Sequence, residues 1–188
     1  MTGDRNGKEF SLASVISHPA VPVALAVALG PNRVSPALAA VGCVASVFPD
    51  VDSFGFAAGI PYGHPLGHRG FTHSLFFATV IALLCIPFAR RLGASPLPTW
   101  AFVFVSVSSH GFLDAMTTGG LGVAFFSPFS NERFFLPSRM ILVSPIGVGA
   151  FLSGRGLRVL QSELLWIWAP CAVIAALGAA FRRMVGGA

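Results

Sequence analysis

The sequence predicts an all-α integral membrane protein: a polytopic helical bundle with about four to five membrane helices and one re-entrant or irregular segment. Of the 188 residues, 54% are hydrophobic and only 10% are charged, whereas about 25% of the residues of a soluble domain are charged. The mean hydropathy of +0.76 excludes a disordered chain. Charge-free runs near the roughly 20 residues that a membrane-crossing helix needs occupy residues 10–32, 34–49, 70–89, 92–113 and 164–181.

The apolar runs, together with the positions of proline and glycine, predict five helices in order. These helices cover residues 18–30, 35–48, 72–91, 99–116 and 163–183. Pro49 should end the second helix and Pro170 should kink the last one, because proline lacks the amide that a helix interior uses. The short apolar stretch 140–153 contains Pro145, which favours a re-entrant or broken helix.

We expect one integral-membrane domain over residues 1–188. Its predicted parts outside the helices are an N-terminal tail and two site-forming loops, at residues 1–16, 49–71 and 117–139.

The net charge of +5 reflects 12 Lys and Arg residues against 7 Asp and Glu residues. These basic residues stand singly or in pairs beside apolar runs, as at Arg90 and Arg91, which is typical of membrane anchors and topology signals. No basic stripe with interleaved aromatic residues occurs, so we expect no nucleic-acid partner. The cysteines lie in apolar runs without a C-x-x-C motif, which favours small buried hydrophobes over a disulfide or metal site: Cys43, Cys85 and Cys171.

Ionisable residues gather at one end of the predicted helices. Because consecutive helices run in opposite directions, the helix ends that meet at this membrane face carry His18, Asp50, Asp52, His73, His110 and Asp114. Ionisable groups at membrane depth are costly to desolvate and generally face the bundle interior or a wet cavity. The sequence therefore predicts a polar site where four helix ends converge.

Two loop motifs supply candidate metal ligands. Asp50 and Asp52 form a D-x-D whose carboxylates can reach one ion or two adjacent ions when the backbone is extended; two solvated acids after a helix are the alternative. The stretch 64–74, H-P-L-G-H-R-G-F-T-H-S, concentrates imidazoles, the commonest metal ligands of catalytic zinc sites. We favour His73 as a ligand because it opens an apolar helix, and we leave His64 open between ligand and loop residue.

A third motif lies on the fourth predicted helix. His110 and Asp114 are four residues apart and share one helical face, so both can bind one centre, or the aspartate can orient a histidine ligand. Arg69 can hold an anionic group or pair with Asp50 or Asp52.

Together the motifs predict a mixed nitrogen and oxygen ligand set. Such a set suits a divalent transition metal, zinc first and manganese or iron as alternatives, in one or two ions. Ions of this kind activate water and polarise the oxygen of an ester, amide or phosphoryl group. The carboxylates would be natural bridges between two ions.

Four sequence blocks, in this order after His18, resemble a known family: F-P-D-V-D at 48–52, H-R-G-F-T-H-S at 68–74, S-H-G-F-L-D-A-M-T-T-G-G at 109–120 and F-S-P-F-S-N-E-R-F at 126–134. The chain resembles the YdjM/YbcI-type family of membrane-bound, metal-dependent hydrolases over about residues 18–139. The resemblance implies a hydrolase of the bacterial inner membrane.

The resemblance also implies roles for individual residues. It implies metal ligation by His18, Asp50, Asp52, His68, His73, His110 and Asp114. It implies catalytic roles for Asp52, His68, Arg69 and Asp114. The family is distantly similar to zinc-dependent phospholipase C and related nucleases, which implies a phospholipid or other phosphoester substrate. Three arginines could hold the phosphate of such a substrate: Arg69, Arg133 and Arg139.

A non-catalytic membrane adaptor or regulator with a structural metal site is the alternative function. It predicts a closed site, whereas an enzyme needs an open coordination position and an entry path. By the positive-inside rule, the arginines on the turns opposite the site place those turns in the cytoplasm. The rule therefore slightly favours a site on the outer face of the membrane. Membrane lipid and a small-molecule or lipid phosphoester are the expected partners, and the sequence leaves the oligomeric state open.

Overall fold

The computed structural model describes residues 11–12, 15–145 and 154–186. This part of the chain forms five helices, which confirms the predicted all-α class. They are α1 Ala20–Leu29, α2 Pro36–Val47, α3 Leu75–Cys85, α4 Pro96–Ala115 and α5, which runs through Gly154–Glu163, a π-helical turn at Leu164–Trp168 and Ala169–Gly186. One pair of two-residue strands, β1 Ser11–Leu12 and β2 Ser144–Pro145, joins the segment before α1 to the segment before α5 in antiparallel register.

The second α-helix ends at Val47, just before Pro49 as predicted, but the sequence did not predict the helical segment that follows it. α2 begins where the Ser35 hydroxyl accepts a hydrogen bond from the Leu38 amide at 3.1 Å, a standard N-terminal cap. After Val47 the chain continues as a 3-10 helix over Phe48–Phe56. Pro49 lies in the first turn of this segment, where no amide donor is required.

The boundaries of α3 and α4 also differ from the prediction. The Ser74 hydroxyl accepts from the Phe77 amide at 3.0 Å, so Ser74 caps α3 and the helix starts three residues later than predicted. α3 then passes into a 3-10 turn, Ile86–Phe88, around Pro87. α4 starts three residues earlier than predicted because Pro96 suits a first helical turn.

α5 begins at Gly154, well before the predicted residue 163. Pro170 cannot donate to a carbonyl in the preceding turn, and the widened π-helical turn Leu164–Trp168 precedes it directly. The predicted re-entrant stretch 140–153 is described only as far as residue 145, which lies in β2. Most of the predicted tail 1–16 likewise falls outside the described residues.

Two helices are long and apolar enough to cross a membrane, by length and composition: Pro36–Phe56 and Gly154–Val185. Two further apolar helices, Ala20–Leu29 and Leu75–Phe88, are shorter. At about 1.5 Å per residue, a helix of ten residues such as α1 is about half as long as the roughly 30 Å hydrocarbon core. The described residues thus show two candidate spans rather than the four to five predicted.

The helices pack closely through small residues. α2, α3 and α4 share a core that includes Leu38, Ala78 and Val103. α5 lies against α1, where a Cβ added at Gly178 would meet the Ala28 Cβ at 2.5 Å. Arg182 closes this contact by donating to the Ala28 carbonyl at 2.9 Å, at the C-terminal end of α1.

Candidate metal centre

Histidine and aspartate side chains meet at the end of the bundle that is opposite Arg182. Each is at most 8% exposed: His18, Asp50, His68, His73, His110 and Asp114. Their potential ligand atoms form two groups, each with all atoms within 4.8 Å of one another. One group contains Asp50, His68, His73 and Asp114, and the other contains His18, Asp50 and His110. Asp50 therefore lies between the two groups.

The ligand atoms at the centre have the spacing of a coordination sphere. His73 Nε2 lies 3.0 Å from His110 Nε2 and 3.2 Å from Asp114 Oδ2. His110 Nε2 lies 3.3 Å from Asp50 Oδ1. Ligands bound to zinc at about 2.0–2.2 Å stand roughly 3–3.5 Å from one another in a tetrahedral arrangement. The shortest distances in the centre therefore match those between neighbouring ligands of a metal ion, and the two groups of ligand atoms meet here.

Hydrogen bonds behind the imidazoles aim the Nε2 atoms of His110 and His68 at the centre. His110 Nδ1 lies 2.7 Å from the Ser46 carbonyl oxygen, which can only accept, so Nδ1 carries the proton and Nε2 presents a lone pair. His68 Nδ1 lies 2.7 Å from Asp52 Oδ1. Partners of this kind fix the tautomer and orientation of histidine ligands in metal sites.

Asp52 stands behind the ligands and outside both groups of atoms. Its Oδ2 accepts from the Thr72 hydroxyl at 2.6 Å and lies 3.1 Å from His73 Nδ1. In a 3-10 helix, with about three residues per turn, residues two apart point roughly 120° away from each other. The carboxylates of Asp50 and Asp52 therefore diverge, and the geometry favours a positioning role for Asp52 over the ligand role predicted from an extended D-x-D.

Unpartnered buried atoms provide a second test of whether a cation fits. The His18 ring stacks on His110 with centroids 3.6 Å apart, and neither of its nitrogens has a hydrogen-bond partner among the described residues. The carboxylate oxygens of Asp50 likewise accept no hydrogen bond within the described chain. Buried polar atoms without partners are costly, and a bound cation would satisfy both side chains.

The pKa values of three histidines reflect the same charge arrangement. Burial lowers the pKa of His18 to about 3, which keeps the imidazole neutral as a ligand must be. Burial also lowers the pKa of His68, although its hydrogen bond with Asp52 partly opposes this. Burial alone would lower the pKa of His73, but its hydrogen bonds with Asp114 and Asp52 outweigh burial and raise it to about 9. The carboxylates thus favour a positive charge on the His73 imidazole.

Arg69 is fully buried and holds Asp114 in place. Its Nε lies 3.1 Å from Asp114 Oδ2 and its Nη2 donates to Oδ1 at 3.2 Å, a bidentate pair. Its Nη1 donates to Thr117 Oγ1 at 3.0 Å. The Arg69 backbone has a φ of 61°, which side-chain-bearing residues rarely adopt. Arg69 therefore pairs with an acid, as one alternative proposed, but with Asp114 instead of Asp50 or Asp52, and its predicted catalytic and phosphate-binding roles are not favoured.

The other two predicted phosphate-holding arginines lie elsewhere. Arg133 donates to the His68 carbonyl at 2.9 Å and to the Tyr62 carbonyl at 3.1 Å, so its guanidinium fixes the loop that carries His68. Arg139 is exposed and lies over the Phe135 ring, with its guanidinium carbon 4.5 Å from the ring centroid. Of the three, Arg139 keeps its guanidinium at the surface.

His64, which the sequence left open between ligand and loop residue, lies outside both groups of ligand atoms. It is exposed, and its Nδ1 accepts a hydrogen bond from the Leu66 amide at 3.1 Å. His64 is thus a loop residue that belongs to neither group of ligand atoms.

Sequence reasoning missed one buried acid beside the centre. Glu163 is 1% exposed, and its Oε2 accepts from the hydroxyl of Ser17 at 2.7 Å. Ser17 also accepts from the Trp168 indole at 3.0 Å. These contacts tie α5 to the residue that precedes His18. A single acid at the start of an apolar run was the signal that could have identified it.

Comparison with known proteins agrees with the membrane assignment. The chain matches the YdjM inner membrane protein family over residues 14–186. It is 42% identical over 160 residues to the inner membrane protein YbcI of Escherichia coli (strain K12), a match that covers 85% of this chain and 92% of that protein. No solved structure matches the chain.

Proposed function

The chain belongs to the YdjM inner membrane protein family, and from this premise we propose that it is a metal-dependent hydrolase of the inner membrane. The observation that carries the proposal is the set of four nitrogen and oxygen atoms from His73, His110, Asp50 and Asp114, which stand 3.0–3.3 Å from their nearest neighbours. Their spacing and burial suit a cation better than they suit hydrogen bonding among themselves.

Two ions fit the two groups of ligand atoms. One ion would be held by Asp50, His68, His73 and Asp114, the other by His18, Asp50 and His110, with Asp50 shared. The nitrogen and oxygen donors favour zinc, with manganese or iron as alternatives. When bound, such an ion supplies a water of lowered pKa and polarises the oxygen of the bond to be cleaved.

The remaining residues keep this centre in position. Asp52 and the Ser46 carbonyl orient the imidazoles, and Arg69 clamps Asp114. The reaction we propose is hydrolysis of a phosphoester of a membrane lipid or another small molecule. Water adds to phosphorus, the bond to the leaving oxygen breaks, and that oxygen takes up a proton to give an alcohol and a phosphate. The exposed Arg139 is the one predicted phosphate-binding arginine that the proposal retains.

A structural metal site in an adaptor or regulator is the second candidate function. The observation that favours it is the low exposure of the ligands, at most 8% for any of them, since structural metal sites are closed. Against it, Asp50 also lines an open groove.

The metal content of the detergent-purified protein tests the proposal. Elemental mass spectrometry should find at least one zinc, manganese or iron ion per chain, and His73→Ala and His110→Ala should lose it. His64→Ala is the matched control, because this exposed histidine lies outside both groups, and it should retain the wild-type metal content. Thermal unfolding of each variant checks that it is folded.

Two outcomes decide between the candidate functions. A wild-type protein that binds no metal, even after metal is added back, would overturn both the hydrolase and the structural metal site. Stoichiometric metal without hydrolysis of any phospholipid or soluble phosphodiester would favour the adaptor.

A further inference from the structure

An apolar groove of about 680 Å³ opens beside the metal centre. It lies between the approach to α1, at Val15 and Pro19, and the outer face of α2 with its 3-10 continuation, at Val47, Val51 and Phe54. Apart from Asp50 and Ser53, the described residues that line it are apolar. Its volume is in the range of pockets that enclose a small-molecule ligand.

Asp50 connects this groove to the centre. The Asp50 side chain lines the groove, and its Oδ1 lies 3.3 Å from His110 Nε2. Because Asp50 belongs to both groups of ligand atoms, a molecule in the groove lies one side chain away from the point where the two groups meet.

The outer wall of the groove belongs to a helix that is long and apolar enough to cross the membrane, Pro36–Phe56. Val44 is 72% exposed and Phe54 is 76% exposed, so the groove opens sideways from this helix. A mouth in that position faces acyl chains. A route for a water-soluble substrate would need a polar lining, which the described walls of the groove lack.

We propose that this groove binds the aliphatic chain of a membrane lipid and presents the ester or phosphoester at the head of that chain to Asp50. The inference rests on the proposed hydrolase function, narrows its substrate to a membrane lipid and adds an entry path from the lipid phase. The chain end lies between Val44 and Phe54, and the head group lies at Asp50.

Photocrosslinking tests the groove without depending on hydrolysis. The probe is a phosphatidylglycerol with a diazirine at the end of one acyl chain, in vesicles with the full-length protein, and the labelled residues are mapped by mass spectrometry. We expect labelling of α2 and its continuation near Val47 and Val51, and at least a fivefold loss of that labelling in Val47→Trp, because the indole fills the groove. Val41→Trp is the matched control: Val41 is also half-buried on α2, but it lines a neighbouring groove instead, and it should leave the labelling unchanged.

Should Val47→Trp fail to fold, Val51→Trp repeats the test at a more exposed position, 42% exposed. A second readout is the displacement of the probe by lysophospholipids of increasing chain length. In the wild type, displacement should require a chain long enough to fill the groove, and this dependence on chain length should be lost in the blocked variant.

The possible outcomes distinguish lipid binding in the groove from hydrolysis at the metal centre. Equal labelling of the wild type and both blocked variants overturns the groove, whatever the protein hydrolyses. Groove-specific labelling of a metal-loaded protein that cleaves no lipid supports the groove and overturns the hydrolase. Cleavage of a short-chain soluble substrate with no preference for long chains overturns the proposed substrate class and leaves the hydrolase intact.

Discussion

Asp50 and Asp52 are two residues apart and have different surroundings. Asp50 faces His110 and accepts no hydrogen bond within the described residues. Asp52 accepts from Thr72 and lies against the rear nitrogens of His68 and His73. At the residue scale, one carboxylate is placed to bind a cation and the other to orient the imidazoles that bind it.

Paired substitutions separate these two roles. Asp52→Asn should keep full metal content at saturating metal but weaken affinity by about 10–100-fold, as loss of an orienting partner commonly does. Asp50→Asn should lower the metal content itself, because both groups of ligand atoms share this carboxylate. Competition with a chelator measures the affinity for the metal, and elemental analysis measures the metal content. Equal loss of metal content in both variants would show that Asp52 is itself a ligand.

Arg69 gives a third expectation at this scale. Arg69→Lys keeps the charge but cannot pair with Asp114 through two parallel N–H bonds, so we expect weaker metal binding and lower stability. Arg91→Lys is the control, since Arg91 is exposed on the opposite turn. Chelator competition and thermal unfolding report the two effects. Unchanged values in Arg69→Lys would mean that the clamp on Asp114 does not support the centre.

The helices are positioned by close contacts between small residues. A Cβ at Gly178 would lie 2.7 Å from the Ala28 Cα, so α5 can lie this close to α1 only because residue 178 lacks a side chain. α1 in turn follows His18, and Glu163 on α5 bonds Ser17. The packing of α5 on α1 therefore fixes one side of the metal centre.

Gly178→Leu should separate α5 from α1 and destabilise the protein by about 1–3 kcal/mol, the usual cost of overpacking. The same substitution at Gly154, where an added Cβ meets nothing within 4 Å, should change stability by no more than about 0.5 kcal/mol. Thermal unfolding in detergent compares the two variants. Similar melting temperatures would show that the tight contact contributes little.

Charge is distributed unevenly over the whole molecule. The turns at the end opposite the metal centre carry Arg33, Arg90 and Arg91, and Arg182 closes the same end. The described acids of the centre lie at the other end. Basic residues on short turns favour the cytoplasmic side, so we expect the metal centre at the outer face of the inner membrane.

Cysteine labelling tests this orientation in intact cells. In a variant without Cys43, Cys85 and Cys171, Ala58→Cys on the site loop should react with a membrane-impermeant maleimide, and Ser95→Cys on the opposite turn should react only after permeabilisation. Both positions are exposed. The reverse pattern would place the centre in the cytoplasm, and labelling of both in intact cells would contradict a membrane-spanning bundle.

The sequence by itself determined the membrane class, the helical fold and most of the residues of the centre. Long charge-free apolar runs are what a chain in a lipid bilayer needs, so they indicate the membrane class. Burying a histidine or an acid within such a run costs free energy, so these residues indicate a functional site. His73, His110 and Asp114 could therefore be selected by residue type and position, and His68 by the histidine-rich stretch 64–74.

Only the tertiary structure showed which of these residues face the centre and which hold the ligands in position. The 3-10 path after Val47 turns Asp50 towards the centre and Asp52 behind it, and the fold brings Arg69 against Asp114, 45 residues away. The contact between Arg69 and Asp114 has no local signal, because it depends on how two segments remote in the chain are placed. The boundaries of α5 and the number of membrane spans also escaped the sequence, since they depend on neighbouring helices rather than on composition alone.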